Sequence, residues 1–206
     1  MALDGTYTGL QASIADFLHR SDMTAIIPDL IVLAEARIAR DSRVRRQVAI
    51  TTLSTTANVQ AVTLPTDFLE AENVSVIDGG INKNMEYVNL ERLNVKYPEG
   101  AQTGVPAVFT FEGNSLLLGP VPDSVYSIDF YYYARWTPLA TTPTNWLLTN
   151  HPNIYLFGAL AEAADYVQSP ELAQKWESKY QASVMALQKS DDESQFSGSA
   201  LRVRTV

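Results

Sequence analysis

The chain has 206 residues, 46% hydrophobic and 18% charged, a globular composition that excludes a disordered one. It holds no cysteine, which excludes disulfides and thiolate metal sites, and no apolar run long enough to span a membrane. The formal net charge of −8 argues against nonspecific nucleic-acid binding by the whole surface, yet suits a surface past which DNA slides without sticking.

The opening residues 1–6 lack the basic start and apolar core of a signal peptide. Thr6 or Thr8 can cap a first helix with Leu10, Ile14, Phe17 and Leu18 on one face. Ser21 and Asp22 break it. A second helix runs to about Asp41, with Pro28 near its first turn and Ile27, Leu30, Ile31, Ala34 and Ile38 on its apolar side. The pattern then changes. Residues 47–53 and 59–64 read as two strands joined by a polar turn. Residues 73–78 form a third, and Asp78-Gly79-Gly80 signals a tight turn that lets Met85–Val88 return as its hairpin partner. Asn89 to Tyr97 suits one or two helical turns. Residues 107–111, 116–118 and 125–133 complete a sheet region, divided by turn signals at Gly113-Asn114 and 119–124.

A Thr- and Pro-rich stretch then leads to a helix from Pro152 that is apolar on nearly every side, with only Glu162 and Asp165 charged before Gln168. Such a helix is buried on several sides. It is either the centre of a monomeric bundle or a helix whose burial neighbouring subunits complete. Ser169 and Pro170 open a last helix with Leu172, Trp176, Tyr180, Val184 and Leu187 on one face. From Asp191 the chain is too polar to build a core. The final six residues, Leu201 to Val206, alternate apolar and polar, which is the chemistry of a strand that adds to a partner's edge.

The organisation is helices, strands, helices, and the economical fold is α+β. A bundle of terminal helices (1–46 and 152–190) carries an inserted antiparallel β-sandwich or small barrel (47–136), a linker (137–151) and a flexible tail (191–206) that docks on a partner.

Catalytic constellations are weak. His19 and His151 are explained by helix ends and packing, no metal-ligand spacing is evident, and no cofactor motif occurs. Asp67, Glu70 and Glu72 could pose as a glycosidase pair, but a solvated turn is the commoner meaning. The aromatic run Tyr126, Phe130, Tyr131, Tyr132, Tyr133 and Trp136 reads as core plus interface ahead of a sugar-stacking platform. The basic cluster Arg37, Arg40, Arg43, Arg45 and Arg46 reads as contact to a neighbouring subunit, with phosphate contact or a favourable helix end as the alternatives.

Five blocks together carry a resemblance: Leu33-Ala-Glu-Ala-Arg-Ile38, Leu64-Pro-Thr-Asp-Phe-Leu69, Asn114 to Pro122, Asp129-Phe-Tyr-Tyr-Tyr133 and Asn145-Trp-Leu-Leu-Thr-Asn-His-Pro152. In order and spacing the chain resembles the head-to-tail adaptor proteins of short-tailed bacteriophages and related prophages. The resemblance implies a non-enzymatic virion protein, assembled in the cytoplasm of the infected host. It implies a ring of twelve subunits that binds beneath the portal, prolongs the DNA channel without specific recognition of DNA, and receives a tail or nozzle protein. The expected subunit interface is Tyr155, Phe157, Gly158 and Leu160, with Arg37, Arg40, Trp176 and Tyr180. The expected portal contact is Phe196, Leu201, Arg202, Val203, Arg204 and Val206. A carbohydrate-binding module, a tail-tube or stopper component and a cell-wall hydrolase are the alternatives.

Overall fold

The computed structural model describes residues 3–98 and 103–196. The helices are α1 (Tyr7–Leu18), α2 (Ile27–Asp41), α3 (Leu90–Lys96), α4 (Trp146–Asn150), α5 (Pro152–Tyr166) and α6 (Pro170–Phe196). The strands are β1 (Val48–Ser54), β2 (Ala61–Thr63), β3 (Phe68–Asp78), β4 (Ile81–Asn84), β5 (Glu86–Tyr87), β6 (Thr103–Gly104), β7 (Val108–Glu112), β8 (Ser115–Gly119), β9 (Val121–Pro122) and β10 (Ser127–Ala134). The fold is α+β, as the pattern predicts. It divides into two compact units: a helical one made of the residues up to Arg45 and from Trp136 onward, and a β-rich one, Arg46–Arg135.

In the helical unit, Thr6 and not Thr8 caps α1: its Oγ1 accepts from the Gly9 N–H at 3.0 Å. The helix closes at His19 in the left-handed conformation, φ 50°. Pro28 opens α2, where its missing N–H costs nothing. Leu10 and Ile14 of α1, Ile31 and Ile38 of α2, Ile154 and Leu160 of α5, and Tyr180 and Leu187 of α6 belong to one core. Each large aliphatic chain buried there contributes about 1.5–3 kcal/mol.

Two expectations fail in this unit. Residues 137–151 are no free linker. They contain α4, and the three leucines of the stretch, Leu139, Leu147 and Leu148, lie in the core of the bundle. Asp191 does not begin the tail, since α6 continues to Phe196. There the polar residues need no core of their own: Asp191 Oδ2 accepts from the Arg45 N–H at 2.9 Å and Oδ1 from its Nε at 3.2 Å, and Ser194 donates to the Ser190 carbonyl at 2.7 Å.

The β unit is built from two four-stranded sheets, in the orders β1-β10-β3-β4 and β2-β8-β7-β5, plus the short pair β6-β9. Val74, Val76, Ile128, Phe130 and Tyr132 of the first sheet meet Val62, Phe109, Leu116 and Leu118 of the second in one core. This is a sandwich, and no closed barrel forms. Pairing is antiparallel except for the two-residue β5 on β7 and β6 on β9, which are parallel.

One pairing differs from expectation. The hairpin partner of β3 is β4, at residues 81–84, because Gly79 and Gly80 with φ of 58° and 79° make the reversal immediate. Residues 86–87 instead join β7. Strands β1 and β2 do not pair with each other. Between them Thr55 is tied to Tyr126 and Ser124, Asn58 turns with φ 62°, and the chain passes from one sheet to the other.

Candidate assembly surface

Helix α5 shows what its all-round apolarity is for. Asn145 prepares its entry: Oδ1 accepts from the Leu148 N–H at 2.8 Å, capping α4, while Nδ2 donates to the Tyr155 hydroxyl at 2.8 Å. Tyr155 is 1% exposed, and burial pushes its phenol pKa up. Gly158 lets the helices close in, since a Cβ there would stand 3.2 Å from the Ala34 Cβ and 3.4 Å from the Tyr180 ring.

Tyr155, Gly158, Leu160, Trp176 and Tyr180 are therefore buried by the chain's own helices. They leave almost no side-chain surface for a neighbouring subunit. The central-helix meaning of the pattern is the one the fold uses, because periodicity reports that a face is covered and not by which chain. Phe157 is half-buried and stacks on Trp176, with ring centroids 5.9 Å apart.

The basic cluster is also engaged internally. Arg37 donates to Glu162 at 3.2 Å and as a fork to both oxygens of Glu177 at 2.8 and 2.7 Å. It lies 4.5 Å from the centroid of Tyr180, whose hydroxyl donates to Asp41 at 2.9 Å. Burial works against the charge of Arg37, but Glu177 and then Glu162 more than offset it, so its pKa rises. Arg43 closes the end of α2 by donating to the carbonyls of Ala39 and Ser42. Arg45 pairs with Asp191, and Arg46 has its own partner. Arg40 is exposed and makes no ion pair among the described residues. Within the cluster, Arg37 and Arg45 brace the chain against α5 and α6.

What the helical unit does leave open lies elsewhere. Val32 and Leu33 on α2 are 53% and 50% exposed, and Ala36 and Arg40 continue the same side. Tyr166, Leu172 and Met185 are exposed on α5 and α6. An open cleft of about 320 Å³ between α5 and α6 is lined by Ala161, Asp165, Ala173, Gln174 and Glu177. Val32 and Leu33 fall outside the buried stripe of α2, and that surplus of apolar residues is the signal that periodicity alone passes over.

In the β unit, Ile128, Phe130 and Tyr132 face the core, and Tyr131 and Tyr133 share the opposite face with their cross-strand partners Ile50 and Val48. Asp67 accepts from the Tyr132 hydroxyl at 3.0 Å and its carbonyl from the Arg135 N–H at 2.8 Å. Burial, with Asp67 beside it, pushes the Tyr132 pKa up to about 12. Asp67 thus fastens the strand, while Glu70 and Glu72 are exposed. Among the described residues no group of three His, Cys, Asp or Glu is placed to hold a metal ion. Phe196 ends α6, and the other residues expected to reach the portal, Leu201, Arg202, Val203, Arg204 and Val206, lie outside the described residues.

A family model described as SU10 adaptor protein matches residues 5–204. The chain has no match among curated proteins.

Proposed function

This chain belongs to the SU10 adaptor protein family, a family of phage head-to-tail adaptors, and we propose that it assembles as a ring beneath the portal. Its role is structural, as a component of the phage virion that works by contact with other head and tail proteins. In the proposed assembly about twelve copies surround a channel that continues the portal's, DNA passes through without being read, and a tail or nozzle protein attaches to the far side. Assembly takes place in the infected host cell.

The observation that carries the ring is the exposed side of α2. A helical unit that closes its own core still shows Val32 and Leu33 to solvent, in line with Ala36 and the exposed Arg40. Apolar surface of this kind, flanked by a polar group, marks a protein contact. This side therefore replaces Tyr155, Gly158, Leu160, Trp176 and Tyr180 as the proposed subunit contact, with Phe157 at its margin. The charge of −8 supports a channel wall that repels phosphate. Electron microscopy of the chain mixed with purified portal tests the reading. Stacked rings with a common axis support it, and portals without added density contradict it.

A further inference from the structure

Helix α6 has two flanks of opposite character. Trp176, Tyr180, Val184 and Leu187 form its buried line. Because a helix turns about 100° per residue, Lys175 and Lys179 fall on one flank of that line, and Ala173 and Glu177 on the other.

The first flank is cationic. Trp176 is fixed edge-on to Phe17 and stacked on Phe157, with ring centroids 5.8 and 5.9 Å away. Lys175 Nζ lies 4.6 Å and Lys179 Nζ 5.0 Å from the centroid of Trp176. The indole thus holds two ammonium groups close together on an exposed surface, one turn apart. Like charges at this spacing repel. Neither lysine forms an ion pair among the described residues. An anion brought from outside the chain relieves the repulsion, and the ring keeps both groups in place to meet it.

The second flank borders the open cleft between α5 and α6. Asp165 on its wall is exposed and forms no ion pair among the described residues. Glu177, also on its wall, shares Arg37 with Glu162, which lies one turn from Asp165. Three carboxylates stand here against one guanidinium. Leu33 and Arg40 lie one turn to either side of Arg37, so the cleft adjoins the side of α2 assigned above to a subunit contact.

A ring of identical copies closes through two different surfaces, one on each copy meeting the other on the next. We infer that the Lys175–Lys179 flank of α6 in one copy docks against the Asp165 cleft of the next. Charge complementarity selects the second copy, since one surface has cations without anions and the other a surplus of carboxylates. The two lie on opposite flanks of one helix, so a chain does not join its own pair and each copy can repeat the contact. The inference rests on the ring reading and supplies the surface that the α2 side needs as its counterpart.

Charge reversal tests it. Full-length Lys179→Glu, Asp165→Lys and the chain carrying both changes are assembled alone and on purified portal, with ring formation followed by sedimentation. Each single reversal sets like charges face to face and should lower the ring fraction about tenfold or more, and the combined chain should recover it. Thermal unfolding shows whether each variant keeps its fold. Independently, a mixture of isotope-labelled and unlabelled wild-type chains is coupled with a zero-length carbodiimide. Mixed-label peptides joining Asp165 to Lys175 or Lys179 are expected. Normal rings from both single reversals, as when the lysines contact DNA phosphate instead, overturn the docking. So do a combined chain that fails to recover and wild-type rings without these links. Wild-type chains that stay monomeric with and without portal refute the ring reading and this inference with it.

Discussion

The guanidinium of Arg37 lies 4.5 Å from the ring centroid of Tyr180, between Glu162 and Glu177. A cation so held joins three helices at once, α2 through its backbone and α5 and α6 through their carboxylates. Arg37→Ala leaves two half-buried carboxylates without their partner. The expected loss is about 1–2 kcal/mol, above an exposed pair and below a fully buried one, because Glu177 keeps access to solvent. Urea unfolding of the variant and of Arg37→Lys measures it. Lysine keeps the charge but not the fork, so it recovers only part. An unchanged midpoint in Arg37→Ala would show that the brace is not needed.

Gly158→Ala is expected to destabilise the chain by about 1 kcal/mol. Alanine gains about 1 kcal/mol in helix propensity, but overpacking a core costs about 1–3. The new methyl meets the Ala34 Cβ, which cannot rotate away, and the Tyr180 ring. Thermal unfolding decides the sign, and a raised melting temperature would mean that α2 and α6 yield at this contact.

Asn145 has two partners, the Leu148 N–H and the Tyr155 hydroxyl. Asn145→Ala removes a helix cap and orphans a buried phenol, for about 2 kcal/mol in all. Tyr155→Phe removes only the second bond and should cost about 1 kcal/mol. Comparing the two by chemical denaturation isolates the cap. Equal losses would show that the cap contributes nothing.

Glu35 accepts from the Leu139 N–H at 2.7 Å, and burial pushes its carboxyl pKa up, with that hydrogen bond pulling the other way. A folded-state pKa above the unfolded value means that the fold favours the protonated acid. Its contribution is fullest below the unfolded pKa and is lost as pH rises through the folded one. Glu35→Gln keeps an oxygen for Leu139 and carries no charge. It should melt higher than the parent at pH 7, with the gap closing as pH falls through the carboxylate range. A gap that widens toward acid would contradict this.

The elements were legible where local chemistry is decisive. Thr6, Pro28, Pro152 and Pro170 mark helix starts, and the apolar spacing behind them became buried faces, with the exposed Leu172 of the last helix as the exception. What failed depends on distant partners. Nothing local to Met85–Val88 says that β4 has already taken the edge of β3, and nothing local to Asp191 says that Arg45 will meet it. The surface was harder to see than the core. Tyr155 and Leu160 promised an interface because they are apolar, and they are apolar because four of the chain's own helices surround them. Val32 and Leu33 were not read as a contact surface, being adjacent to a stripe and not part of it.

The proposed ring makes a demand on that last pair. Leu33→Asp changes a half-exposed position and should leave thermal stability within about 0.5 kcal/mol of the parent. It should abolish self-association, since a charge in an apolar contact is left without a partner. A variant that assembles normally would move the interface away from α2.

The mass of the purified chain in solution, alone and with purified portal, tests the central claim most directly. The adaptor reading predicts a ring, or a monomer that becomes a ring at fixed stoichiometry on the portal. A monomer that stays monomeric and ignores the portal would contradict it.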